Sequence, residues 1–178
     1  MADRADILGL TPEELEALLA SHFSARGQPS YRVGQVKDWV FEELAPGFGD
    51  MTNLPKEERE VLAESFQITE GEVASVSESA DGTVKHLWRM QDGELVESGL
   101  IPSEGRLTLC ISSQAGCGMG CTFCATGFGG LRRNLTASEI VAQYRASQRW
   151  AQRKEMGRIS NVVFMGMGEP LANRRALF

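Results

Sequence analysis

No apolar run in this sequence comes near the roughly 20 residues that a membrane-crossing helix needs, and the opening Met-Ala-Asp-Arg-Ala-Asp does not read as a signal peptide. The expectation is a cytoplasmic protein with no membrane partner. Histidine is scarce, with two residues in 178, and cysteine nearly so, with four. Where thiols stay reduced, clustered cysteines bind metal or do catalysis more often than they form bridges. The rest of the composition, 42% hydrophobic and 24% charged, is ordinary for a globular chain with length enough for one domain or two small ones.

Charge is unevenly divided. Residues 1–100 carry 8 basic and 20 acidic side chains, and residues 101–178 carry 10 and 4. A basic segment behind an acidic one can mark a polyanion-binding surface. For Arg145, Arg149, Arg153 and Lys154 a solvated helix face is the equal alternative, because a spacing of four puts the three arginines on one helical stripe.

The first third reads as three short amphipathic helices. Thr11 can cap, Pro12 suits the first helical position and Glu14 completes a capping box, ahead of a stripe of Leu15, Leu18, Leu19 and Phe23. A second helix is expected at about 31–44, with Val33, Val36, Trp39 and Val40 on one side, and a third at about 55–66, with Val61, Leu62 and Phe66 inward. From Glu72 the period changes to that of strands, over 73–76, 83–90 and 94–97, separated by the hairpin dipeptides Asp81-Gly82 and Asp92-Gly93. His86 falls within this meander and is expected to be a surface or half-buried side chain.

At 106–111 the pattern becomes nearly continuously apolar, as in a strand buried on both faces. Thr136 and Glu139 form a second capping box, opening a helix with Ile140, Val141, Tyr144 and Trp150, and 161–165 is another apolar run of strand length. Strand, loop, helix, strand predicts a βαβ unit with parallel strands and a right-handed crossover. Ligands bind such units at the carboxyl ends of the strands. The cysteine loop after the first strand and the Gly168-Glu169 turn after the second should therefore meet at one sheet edge. Two parallel strands and one helix cannot cover both sheet faces, so more strands are required.

The loop itself is Gln114-Ala-Gly-Cys117-Gly-Met-Gly-Cys121-Thr-Phe-Cys124. Three cysteines this close cannot all pair with one another, and the fourth, Cys110, lies on a predicted strand. Gly116, Gly118 and Gly120 are expected to supply positive φ for a tight fold around a bound group. Structural zinc usually takes two Cys-x2-Cys knuckles, whereas only one is present and no histidine is near. An iron–sulfur cubane held by three thiolates suits the loop better, leaving one iron open to an exogenous ligand.

The spacing Cys117-x3-Cys121-x2-Cys124, with Phe123 just before the last cysteine, resembles the radical S-adenosylmethionine (SAM) superfamily. The likeness extends through Val96-Glu97-Ser, Ile101-Pro, residues 106–117, Asn134-Leu135-Thr and residues 161–173, which resemble the adenine-C2 RNA methyltransferases of the RlmN and Cfr type, the RlmN branch being the nearer. Tyr31 to Trp39 and Met51 to Pro55 fit the same family. The resemblance implies that Cys117, Cys121 and Cys124 hold a [4Fe-4S] cluster whose open iron chelates SAM, with Phe123, Gly168 and Glu169 in the cofactor site. It implies methylation of adenine C2 in 23S rRNA and tRNA, with electrons from a donor such as a flavodoxin or ferredoxin. It also implies two catalytic roles: Glu97 as proton acceptor, and Cys110 as the thiol that forms a transient disulfide with a methyl-carrying cysteine. That last cysteine is not among the four in this sequence, so the chain is expected to be an inactive N-terminal portion.

The expected fold class is α/β: a helical accessory domain at 1–70 that contacts RNA, an antiparallel hairpin region at 71–102, and at 103–178 the first βα units of an incomplete radical SAM (β/α) barrel. A non-catalytic RNA-binding fragment, and a radical SAM enzyme with another substrate, remain as alternatives.

Overall fold

The structure, a computed structural model, describes residues 4–177 and divides after Thr69 into two compact units. In the first, a short strand β1 (Ala5–Asp6) precedes α1 (Pro12–Ala25), which starts as the sequence dictates. Glu14 N donates to Thr11 Oγ1 at 3.3 Å and Thr11 N to the Glu14 carboxylate at 2.9 Å. Leu15, Leu19 and Phe23 are buried on its inner face. The second helix, α2 (Tyr31–Phe41), ends three residues earlier than expected. There the chain folds back, Ala45 N donating to Trp39 O at 2.8 Å, so that Leu44 and Ala45 enter the core. Phe66 similarly leaves α3 (Lys56–Ser65) to open β2 (Phe66–Gln67), which pairs in parallel with β1. Glu58 of α3 is buried and held by the Arg26 guanidinium at 2.9 and 3.2 Å, which lowers its carboxyl pKa.

The second unit is built on a five-stranded mixed sheet in the order β3 (Glu72–Glu78), β4 (Val84–Arg89), β5 (Leu95–Ser103), β6 (Arg106–Cys110) and β9 (Asn161–Val163). The turns are those the Asp-Gly dipeptides demand, with Gly82 at φ +83° and Gly93 at φ +88°. Successive strands from β3 to β6 are antiparallel, and only β6 and β9 are parallel. The hairpin strands thus supply the neighbours that the parallel pair lacks. β6 is not buried on both faces: Leu107 and Leu109 are buried on one side, while Thr108 and Cys110 are only half-covered on the other. β9 stops at Val163 rather than Met165, because the chain turns inward there and Gly166 N donates to Ile111 O at 3.1 Å.

The crossover helix α5 (Ala137–Arg153) follows two shorter strands, β7 (Gln114–Gly116) and β8 (Leu131–Asn134), with α4 (Ala125–Phe128) between them. Its Thr136–Glu139 capping box is present, and small residues on its inner side, Ala142, Ala146 and Ala151, are buried. The core includes Val84, Trp88, Val96, Leu100, Leu107, Leu109 and Ile111.

Two expectations about polar residues change here. The basic stripe on α5 is split: Arg153 and Lys154 are exposed, whereas Arg145 and Arg149 do not belong to a solvated face. Arg145 is buried, Arg145 and Arg149 both pair with Glu70, and Lys154 pairs with Glu78 at 3.1 Å. His86 is not half-buried but wholly enclosed, stacked on Trp88 at 4.9 Å and edge-on to Trp150 at 5.1 Å, because even positions of β4 face the core. Neither ring nitrogen has a hydrogen-bond partner, and burial pushes the imidazole pKa down to about 4.

His86 is therefore neutral when folded and binds a proton on unfolding at mildly acid pH. Its contribution is full above the ordinary value of 6.5 and is lost as pH falls toward about 4. Replacing His86 by Phe should remove roughly 2–3 kcal/mol of the acid-induced stability loss, measured as the difference between urea unfolding at pH 7 and at pH 4.

Candidate functional site

β6 and β9 end side by side, and the segments that leave them are tied together. Ser113 N and Gln114 N donate to Met167 O at 2.9 and 3.2 Å, and Met167 N donates to Ser112 Oγ at 2.8 Å. The Ser112 hydroxyl in turn donates to Glu97 O of β5 at 2.6 Å. Glycine is required by this closeness. A Cβ on Gly166 would lie 2.7 Å from Ile111 O, and one on Gly168, at φ +100°, would lie 2.5 Å from Gln114 Cβ.

Other buried side chains, which the sequence reading did not single out by role, complete this junction. Gln143 of α5 accepts from Ser112 N and donates to Ser112 O, each at 3.0 Å. Asn173 donates to both Ser113 O and Leu135 O at 2.8 Å. The available signal was chemical: an uncharged amide on the inward side of an amphipathic helix, and another just past the Gly-Glu-Pro turn, are suited to satisfy backbone groups that strand pairing leaves open.

The cysteine loop leaves from β7 and returns on β8, an antiparallel ribbon absent from the sequence reading. Cys117 N donates to Gly130 O at 3.0 Å, and Gly116, at φ +74°, packs so closely that a Cβ would fall 2.0 Å from that carbonyl oxygen. Gly120 also has positive φ, but Gly118 does not, and a Cβ there would make only ordinary contact with Leu131. Arg133 fastens β8, donating to both Glu139 carboxylate oxygens at 2.7 Å and to Asp92 in the β4–β5 turn. The guanidinium holds the Asp92 carboxyl down at about 2.

All four cysteines are free thiols; Cys121 is exposed, and Cys117 and Cys124 are half-buried. Phe123 is 89% exposed. Among the described residues no three Cys, His, Asp or Glu side chains are gathered tightly enough to hold a metal ion. The donor set nevertheless fits an iron–sulfur cluster chemically. Three thiols share one loop, and the N–H groups of Gly127 and Thr126 push the Cys124 thiol pKa down, toward the thiolate that binds metal. A cleft of about 410 Å³ opens beside the loop, lined in part by Leu95, Gly116, Thr126, Gly130, Arg132 and Met167. That is room for a small organic ligand.

Glu97 and Cys110 lie on the sheet face opposite α5. Cys110 pairs with Gly99, two residues along β5 from Glu97, and period-two alternation puts both side chains on that face. Glu97 meets Lys85 Nζ at 3.1 Å. Burial pushes the Cys110 thiol pKa up, against a smaller opposing effect of the Met165 amide. Glu169 caps the short turn of helix at Pro170–Asn173 by accepting from Leu171 N at 2.9 Å.

Gly116→Ala should open the ribbon, since a left-handed φ and a backbone clash act together. We expect a loss exceeding about 1–3 kcal/mol and faster proteolysis between β7 and β8. Gly120→Ala, with nothing within 4 Å of the added Cβ, should cost only about 1–2 kcal/mol and leave the proteolytic pattern unchanged.

Comparison with known proteins agrees with this geometry. Residues 5–68 match the family described as the ribosomal RNA large subunit methyltransferase N-terminal domain. The dual-specificity RNA methyltransferase RlmN of Geotalea uraniireducens is 47% identical over 171 residues, covering 96% of this chain and 47% of that protein. That of Nitratidesulfovibrio vulgaris is 48% identical over 175 residues, covering 94% and 47%. The crystal structure of a radical SAM methyltransferase from Sphaerobacter thermophilus superposes with a TM-score of 0.87 at 41% identity, covering 97% of this chain and 50% of that one. The chain spans about half the length of the relatives it matches, and over that span it belongs to the RlmN family of RNA methyltransferases.

Proposed function

We infer that this chain is the N-terminal part of a radical SAM methyltransferase that modifies C2 of adenine in 23S rRNA and tRNA. Its second unit would form the first βα units of a (β/α) barrel. The observation that carries this reading is the joining of the cysteine loop to the Gly166–Glu169 turn at the ends of β6 and β9. Cys117, Cys121 and Cys124 would hold a [4Fe-4S] cluster, which with SAM supplies one-electron radical chemistry once a flavodoxin or ferredoxin delivers the electron.

The chain's own residues then have distinct tasks. The Gly168–Glu169 turn offers backbone groups and a carboxylate oxygen to the methionyl ammonium, and Phe123 would lie against the bound cofactor. Glu97 accepts a proton at its carboxylate, which the Lys85 ammonium meets at 3.1 Å and orients. Cys110 Sγ keeps its proton at neutral pH because burial disfavours the thiolate. It reacts only when a base removes that proton; the thiolate then attacks the sulfur of a further cysteine joined to the RNA adduct, the S–S bond forming as that sulfur's bond to carbon breaks and its electron pair leaves on the carbon. That cysteine is not among the four here, so the 178-residue chain by itself is proposed to lack methyl transfer.

A purely RNA-binding module is the second reading, and of the α5 cations Arg145 and Arg149 are engaged with Glu70 while Arg153 and Lys154 are exposed. Anaerobic reconstitution with iron and sulfide should give a brown protein with about four irons. Alanine at Cys117, Cys121 or Cys124 should abolish the colour, and alanine at Cys110 should not. Colourless protein carrying zinc would overturn the cluster assignment. Methylated adenine in RNA incubated with the chain, SAM and reductant would overturn the missing methyl carrier.

A further inference from the structure

The geometry points to Gln114 as a buried strut that sets the cysteine loop against the Gly168–Glu169 turn, so that SAM affinity depends on an amide outside the residues assigned to hold the cluster and SAM. This rests on the reading above, in which the loop holds the cluster and the turn takes the methionyl end of SAM.

Gln114 is 2% exposed, and both ends of its side-chain amide are used. Oε1 accepts from Glu169 N at 2.9 Å, and Nε2 donates to Asn134 Oδ1 at 2.7 Å. Its backbone N–H donates to Met167 O, so the turn is held at two points one residue apart on each side of Gly168. Gly168 itself lies flat on the side chain: a Cβ there would meet Gln114 Cβ at 2.5 Å and Cγ at 2.7 Å. At the other end, Asn134 is the register partner of Gln114 on β8, the strand on which the cysteine loop returns. One side chain therefore spans from the closing strand of the loop to the amide of the glutamate in the turn.

A long amide is the appropriate group. It carries an acceptor for the Glu169 N–H and a donor for Asn134, and it adds no charge beside the Glu169 carboxylate. Leucine would fill a similar volume but leave the Glu169 amide without its acceptor, freeing the turn to rotate. Gln114 is thus a positioning residue and acts through Glu169 and the loop.

The test uses the anaerobically reconstituted protein, with iron content and SAM binding by equilibrium dialysis as separate readouts. Gln114→Leu should retain its iron and bind SAM about tenfold more weakly, the loss of one semi-buried hydrogen bond. Asn134→Leu cuts the far end of the strut at an exposed position and should weaken SAM similarly. Asn134→Asp keeps an oxygen for Nε2 to donate to and should bind as the unmodified protein does. The double Leu variant should be no weaker than the poorer single variant, because both substitutions break one linkage. If both Leu variants load iron and bind SAM within about twofold of the unmodified protein, or if their effects multiply, the strut is wrong. If Gln114→Leu does not fold, the contrast between Leu and Asp at 134 decides, and equal binding by those two refutes the proposal. Iron loading without SAM binding in the unmodified protein would defeat the site reading itself.

Discussion

Thr108, Leu109 and Cys110 pair in parallel with Asn161, Val162 and Val163, and the rest of the second unit follows from that short ladder. A parallel pair cannot be joined by a hairpin, so the chain must cross over, and α5 is the crossover. Parallel strands also end at the same edge. The cysteine loop and the Gly166–Glu169 turn therefore leave the sheet as neighbours although some fifty positions separate them in sequence. Register matters as much as direction. A slip of one residue would exchange Leu109 for Cys110 on the covered face and carry Cys110 away from the side it shares with Glu97.

Beyond the last ladder pair, the backbone groups of Ile111 to Ser113 lie outside any strand and are buried. They are satisfied by the turn after β9 and by the side chains of Gln143 and Asn173, while the Ser112 hydroxyl ties Met167 N to Glu97 O. Every link in such a network restricts its neighbours, because in a low-dielectric interior a broken hydrogen bond leaves a costly orphan. The junction is consequently stiff where the candidate chemistry needs fixed geometry, while Cys121 and Phe123 stand out from it. The charge asymmetry of the chain resolves in part within the same unit, where α5 arginines meet Glu70 and Arg133 bridges Asp92 and Glu139.

Short-range chemistry was legible in the sequence. The capping boxes at Thr11 and Thr136, the Asp-Gly turns and the Cys-x3-Cys-x2-Cys loop stand where expected, because each depends on residues within four or so positions of one another. The βαβ unit was also readable, since strand, helix and strand occur in order and handedness leaves few alternatives.

Other features depended on what lies across from a residue, and only the tertiary structure decided them. His86 has the surroundings of any strand residue in one dimension; it is buried because β4 turns the face it shares with Trp88 toward Trp150 of α5. Arg145 reads as a surface cation until Glu70, 75 positions away, is brought beside it. Gln114 reads as part of a cysteine motif until parallel pairing sets Glu169 against it. Sequence specifies the periodicity of a strand or helix, but burial and partnership are properties of the face presented and of the element that covers it. That is fixed only when distant segments pack.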